Sequence, residues 1–214
     1  MADGKIKLVA FDMEGVLSAD PTVWEIMHGK LGTWDSHGRP YWERYQAGEF
    51  GYDRFARMDV AVWRGADVGL LREAAREVRW TDGCAEVLGA LAEAGVAAAV
   101  ISSGLLCVAS RLEDEFGIEP IFANRAMAEG ERLTGEVDML VPYEAKGGIL
   151  RSLAARGGIE RAQIAAVGDS HSDVAMFREA AVSVAFRPTH ASVASAATYC
   201  IDGEDLRPLL AFLL

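Results

Sequence analysis

Apolar runs of strand length alternate with helical-period stretches along most of this chain. Residues 6–11, IKLVAF, read as a buried strand that ends in a short turn at Asp12–Gly15. From residue 81 the rhythm is regular. The pattern predicts a helix over about 84–95, stopped at Gly95, then a strand at 97–102 (AAAVIS), a helix at 105–116 and a short strand at 120–123. RAMAEGERLTGEVDML alternates and turns at Glu129–Gly130, as a small hairpin does. A helix at 144–156, a strand at 163–167 (QIAAV) and a helix at 171–180 follow. A strand near 182–185, a short helix, a strand near 199–201 and a final helix at 205–213 complete the chain.

Strand and helix in alternation predict an α/β fold, a Rossmann-like doubly wound parallel sheet with helices on both faces and right-handed crossovers. Ligands of such sheets lie beyond the carboxyl ends of the strands. Polar residues just after apolar strands are therefore the ones to read for chemistry. Residues 18–80 break the rhythm. They hold Trp24, Trp34, Trp42 and Trp63, with Trp80 at the far edge, and are mostly helical in pattern, with Pro40, Gly48 and Gly51 as breaks. The expected division is a core from 1–17 and 81–214 with a helical insert at 18–80.

Composition narrows the picture. The 214 residues are 51% hydrophobic and 25% charged, as in soluble globular proteins. No apolar run approaches the roughly 20 residues of a membrane span. The opening MADGKIKLVAF lacks an apolar stretch with a small-residue cleavage site, so a cytoplasmic protein is expected. Cys84, Cys107 and Cys200 have no CxxC spacing and read as buried reduced thiols. A formal charge of −11 argues against nucleic acid as a partner. It also means that a phosphate site must be made locally positive by a metal, a lysine and backbone amides.

The candidate chemistry falls at strand ends. In VAFDMEGVL, Asp12 follows the first strand and Glu14 lies two residues on. One carboxylate can attack phosphorus and the other can move the proton of the leaving oxygen. Gly15 permits the sharp turn that lets amides of Met13 and Gly15 face an anion. In AVISSGL, Ser102 ends a strand, and Ser103–Gly104 are expected to open the next helix as an anion site. In EAKGGIL, Lys146 is placed at a helix start, where a cation is unfavourable, so another partner is implied. In AVGDSHSDVAMF, Asp169 and Asp173 stand one helical turn apart. Carboxylates that converge need a cation, and hard oxygen donors suit Mg²⁺. His171, between them, is a weaker candidate for substrate contact. No GxGxxG follows the first strand, which argues against dinucleotide binding.

With these motifs in this order, the chain resembles the haloacid dehalogenase superfamily, phosphatase branch, and within it the phosphoserine phosphatase-like group. FANR at 122–125 and LTGEV at 133–137 are also similar to that group. The resemblance implies Asp12 as nucleophile and metal ligand. It implies Glu14 as acid/base, lending its backbone carbonyl to the metal, and Ser102 and Lys146 as holders of the phosphoryl group. Asp169 would bind Mg²⁺, with Asp173 supporting that site. Residues 18–80 would be a cap that closes over a small phosphate ester, phosphoserine being one candidate. The chain departs from the family pattern at Glu14, where Asp is usual, and at Ser172, where Asn is frequent. Where the group's cap glutamate holds the substrate's ammonium stands Pro21, with Asp20 beside it. A cap arginine for the carboxylate would be Arg57 or Arg54. Trp34, Arg39 and Tyr41 are further candidates for facing the site. A phosphotransferase and a receiver-like phosphate-binding module remain as alternative readings, and a monomer or homodimer is expected.

Overall fold

The computed structural model describes residues 5–214; residues 1–4 of the expected core lie outside the described residues. In chain order the elements are β1 (Leu8–Phe11), β2 (Ser18–Ala19), α1 (Val23–Leu31), α2 (Arg39–Gln46), α3 (Tyr52–Val62), α4 (Val68–Glu77), β3 (Arg79–Trp80) and α5 (Cys84–Glu93). Then come β4 (Ala97–Leu105), α6 (Leu106–Phe116), β5 (Ile121–Glu129), β6 (Arg132–Asp138), α7 (Lys146–Gly157) and β7 (Ile164–Gly168). The chain ends with α8 (Val174–Glu179), β8 (Val182–Phe186), α9 (Ala191–Ala196), β9 (Tyr199–Ile201) and α10 (Leu210–Leu213). A single π-helical turn, Trp34–Gly38, leads into α2.

Seven strands form the main sheet in the order β6-β5-β4-β1-β7-β8-β9. All neighbours are parallel except β5 and β6. The chain builds outward from β1 through β4 to one side and through β7 to the other. The order reverses beside β1, and that is where a doubly wound sheet opens its crevice. The central strands are buried on both faces, so they read as unbroken apolar runs rather than alternations. Alternation shows instead in which core each side chain joins. Val9 and Phe11 pack with Val87, Leu91 and Leu112 on one face; Leu8 and Ala10 pack with Leu150 and Met176 on the other.

The insert is held by local chemistry. Thr22 and Glu25 form a capping box at the start of α1, and Gly32 closes it in the left-handed region at φ +65°. At its neck, β2 and β3 pair antiparallel, Ser18 opposite Trp80. On its far side the loop after α3 runs alongside β6. Gly65 N donates to Leu133 O (2.8 Å), Leu133 N to Ala66 O (2.9 Å) and Val68 N to Glu131 O (3.0 Å).

Several expected boundaries move. β4 does not end at Ser102. It runs through Gly104 to Leu105, and α6 starts at Leu106 without a side-chain cap, so Ser103–Gly104 belong to strand rather than to a helix start. The short strand expected at 120–123 continues to Glu129, because its second half gains a partner in β6. The helices expected at 171–180 and 205–213 each begin with a 3₁₀ turn, His171–Asp173 and Arg207–Leu209, and their α-helical parts are short. Of the cysteines, Cys84 is buried, Cys107 half-buried and Cys200 exposed, so burial does not extend to all three thiols. Among the described residues no helix is long and apolar enough to cross a membrane.

Candidate active site

Asp12 leaves β1 at the reversal point, with its N–H donating to Val167 O of β7 (2.9 Å). Its Oδ1 accepts from Met13 N (2.7 Å), and its Oδ2 accepts from Lys146 Nζ (2.9 Å). Lys146 Nζ also donates to Asp173 Oδ1 (2.7 Å), and the lysine is 1% exposed. A cation at the first position of α7 is thus compensated by two buried carboxylates, which outweigh the unfavourable helix end. Asp173 Oδ2 in turn accepts from Asp169 N (3.0 Å), Ser170 N (2.9 Å) and Ser170 Oγ (3.0 Å). Asp169 and Asp173 meet because this carboxylate reaches back to cap the 3₁₀ turn, not because they share a face of a regular helix.

One carboxylate oxygen from each of Asp12, Asp169 and Asp173 lies within 4.8 Å of the others, and all three residues are buried. Gly15 closes the ring from the other side. It has φ +81°, and a Cβ there would stand 2.7 Å from Asp169 Oδ2, so the Glu14–Gly15 backbone lies against Asp169.

Electrostatics follow from burial with too few cations. Burial, then the charge of Asp173, push Asp12 up to about 6 despite Lys146. Burial, then the charge of Asp12, push Glu14 up to about 7, with the Trp24 hydrogen bond opposing. Asp169 is raised well above the ordinary carboxylate range by burial and by Asp173 and Asp12. Burial pulls Lys146 down, but Asp12 and Asp173 overcome it and hold the ammonium charged. Among the described residues Lys146 is the one cation paired with these carboxylates. The group is a buried, net negative cluster of hard oxygen donors, and it fits a small divalent cation such as Mg²⁺.

The structure brings Asp12, Met13, Glu14, Gly15, Lys146, Asp169 and Asp173 to one spot. Ser102 is 1% exposed, and its Oγ accepts from Gly104 N (3.0 Å). A Cβ on Gly104 would lie 3.0 Å from Glu14 Cδ, so this end of β4 is adjacent to Glu14. Ser103 O accepts from Asn124 Nδ2 (2.7 Å) and from Tyr52 OH (3.1 Å). Glu14 keeps a partly accessible edge, yet its Oε1 and the Oγ of Ser103 are enclosed without a protein partner. Those two atoms are enclosed, uncommitted polar groups beside the carboxylate cluster.

Other candidates stand apart. Arg57 is exposed on α3, whose buried residues are Phe55, Ala56, Asp59 and Val60. Arg54 is also exposed, with its guanidinium over the Phe50 ring. Arg39 pairs with Asp35 over Trp34, and Tyr41 packs against His37. His171 is exposed and bonds Ser192 Oγ (2.7 Å). Asp20 is exposed at the neck of the insert, but its charge reaches Glu14. The insert meets the site through aromatics that no motif marked. Trp24 Nε1 donates to Glu14 Oε2 (3.3 Å), and Tyr52 donates to Ser103 O. Aromatic enrichment of 18–80 was the available signal; which rings turn inward is set by helix packing.

Comparison with known proteins places this geometry. The model of the haloacid dehalogenase-like hydrolase family matches residues 9–178. Phosphoserine phosphatase of Methanocaldococcus jannaschii is 28% identical over 212 residues, covering 98% of both chains. Phosphoserine phosphatase of Polaromonas sp. is 31% identical over 192 residues, covering 84% of this chain and 78% of that one. A solved structure of a phospho-aspartyl intermediate analogue of phosphoserine phosphatase superposes with a TM-score of 0.88 at 26% identity, covering 98% of this chain and all of the other (100%). With the matched segment spanning the acidic cluster from Asp12 to Asp173, this chain belongs to the haloacid dehalogenase-like hydrolase family and is a phosphoserine phosphatase-like enzyme within it.

Proposed function

We propose that the enzyme hydrolyses a small phosphate monoester through a phosphoryl group carried on Asp12. The observation that carries this reading is the Lys146 ammonium held between Asp12 Oδ2 and Asp173 Oδ1, with Glu14 two residues beyond Asp12. Lys146 orients Asp12 and keeps one oxygen ionised as a nucleophile, although burial favours the protonated form. Asp12 attacks phosphorus; the bond from phosphorus to the ester oxygen breaks as the bond to Asp12 forms. Glu14, with a pKa raised to about 7 and a free Oε1, gives its proton to the departing alcohol. Glu14 then takes a proton from the water that hydrolyses the aspartyl phosphate. Ser102, Ser103 and Lys146 hold the phosphoryl oxygens in this scheme, whereas the amides of Met13, Gly15 and Gly104, expected from the sequence to face the anion, donate instead to Asp12 Oδ1 (2.7 Å), Ser18 O (3.0 Å) and Ser102 Oγ (3.0 Å).

Asp12, Asp169 and the backbone carbonyl of Glu14 would hold Mg²⁺, with Asp173 bracing the turn that presents Asp169. Bound there, the ion neutralises phosphoryl charge during transfer. Residues 18–80 serve as a cap over the site, a role supported by the Trp24 and Tyr52 contacts. The relatives named phosphoserine phosphatase make phosphoserine one candidate among small metabolite phosphates.

The test is release of inorganic phosphate from a panel of monoesters with Mg²⁺ and with EDTA, run on the wild type and on Asp12→Asn. The expected outcome is metal-dependent release that falls on the order of 10³-fold or more in Asp12→Asn with the fold retained. Full activity of Asp12→Asn would overturn the reading.

A further inference from the structure

The wall beside Glu14 and Ser103 is built from aromatic rings, and among the described residues no salt bridge places a cation on it. Trp24 and Tyr52 reach the site directly. Behind them Phe55 lies 5.9 Å from the rings of both, and Tyr45 stacks on Phe55 at 5.3 Å. Tyr143, from the loop before α7, joins Tyr52 at 5.9 Å. Backbone contact fixes this corner too, since Tyr143 N donates to Asp53 Oδ1 (3.1 Å).

Charge on this side has one sign. Lys146 is committed to Asp12 and Asp173, and Asp20 adds a negative charge felt by Glu14. The cationic side chains of α3, Arg54 and Arg57, are exposed, away from that helix's buried residues. A substrate carboxylate placed here would be desolvated beside like charges, a juxtaposition that disfavours binding. A flat uncharged ring would instead meet the half-buried rings of Tyr45, Tyr52 and Tyr143, which pack on one another and can take a further ring edge to face.

From this we infer that the alcohol part of the substrate carries a ring and no carboxylate, so that phosphoserine is not the preferred ester. The inference rests on the phosphatase reading given above and specifies the leaving group for the same site. Aryl phosphates and sugar phosphates share the chemistry named, and matched pairs distinguish the two sources.

The experiment measures kcat/KM with Mg²⁺ for phenyl phosphate against 4-carboxyphenyl phosphate, for glucose 1-phosphate against glucuronic acid 1-phosphate, and for phosphoserine. The expected result is that at least one neutral ring ester exceeds both its carboxylated partner and phosphoserine by about tenfold or more. Which pair gives the larger value identifies the ring as aryl or sugar. Phosphoserine matching or exceeding the neutral ring esters, or carboxylated partners turned over as well as neutral ones, overturns the inference and leaves the phosphatase reading standing. Absence of release from every ester overturns the phosphatase reading, and the inference with it.

Discussion

Glu14 couples chemistry to stability. Its folded pKa, about 7 against an ordinary 4.5, means that the folded protein holds this proton more tightly than the unfolded chain does. Stability from this group is complete below the ordinary value and declines as pH rises through 7, where folding must bury a charge. The full penalty is on the order of 3 kcal/mol, of which about 2 kcal/mol falls between pH 5 and pH 8. Glu14→Gln imitates the protonated acid at every pH. In metal-free protein, urea unfolding at pH 5 and pH 8 is expected to show wild type losing about 2 kcal/mol more than the variant across that interval. Parallel losses would refute the assignment of the raised pKa to Glu14. The same substitution should abolish turnover, since Gln cannot deliver the proton. At this scale the sequence was most legible: Asp12, Glu14, Lys146, Asp169 and Asp173 each follow a strand or open a helix, and each falls in the cluster. Trp24 and Tyr52 were not legible, because their contacts join residues ten and fifty-one positions apart, through packing that no local pattern encodes.

Two adjacent glycines at the start of α7 show what element packing adds. In the sequence Gly147 and Gly148 are indistinguishable. In the fold, a Cβ on Gly147 would lie 2.6 Å from Ala175 O and 2.9 Å from Ala175 C, in the backbone of α8. A Cβ on Gly148 meets nothing within 4 Å. Gly147 therefore lets α7 and α8 approach until Lys146, one residue earlier, reaches Asp173. Gly147→Ala is expected to cost about 1–3 kcal/mol by overpacking and to lower activity by moving Lys146. Gly148→Ala is expected to add about 0.5–1 kcal/mol, the gain of replacing glycine in an exposed helix. Thermal melts of the two variants check both signs; equal shifts would show that the close approach of α7 and α8 is not what Gly147 serves. The boundaries that moved have the same origin. β4 extends past Ser102 because β5 supplies a partner as far as Leu105, opposite Asn124, and β5 extends because β6 pairs with it. Apolar periodicity reports burial, whereas a strand's length is decided by the neighbour it finds.

For the whole molecule, topology puts the negative charge where it is hardest to bear. The sheet reverses beside β1, so the ends of β1 and β7 converge and bring Asp12 and Asp169 together, with Ser102 on the neighbouring strand β4. A chain of net charge −11 cannot relieve that convergence through its general field, and Lys146 compensates only two of the carboxylates. A divalent cation bound to the folded state should therefore stabilise the entire protein by mass action. At a concentration one hundred times its dissociation constant the gain is about 2.7 kcal/mol, which for a chain of this size raises Tm by about 5–10 °C. Protons compete for the same oxygens. Asp12, with a pKa of about 6, is largely protonated at pH 5 and ionised at pH 8, and Asp169 is raised as well. The Mg²⁺-induced rise in Tm is thus expected to be large at pH 8 and to shrink at pH 5, and to be lost in Asp169→Asn at both. Thermal melts with Mg²⁺ and with EDTA at the two pH values measure it directly. An equal rise at both pH values, or one that survives in Asp169→Asn, would place the cation elsewhere than among these carboxylates.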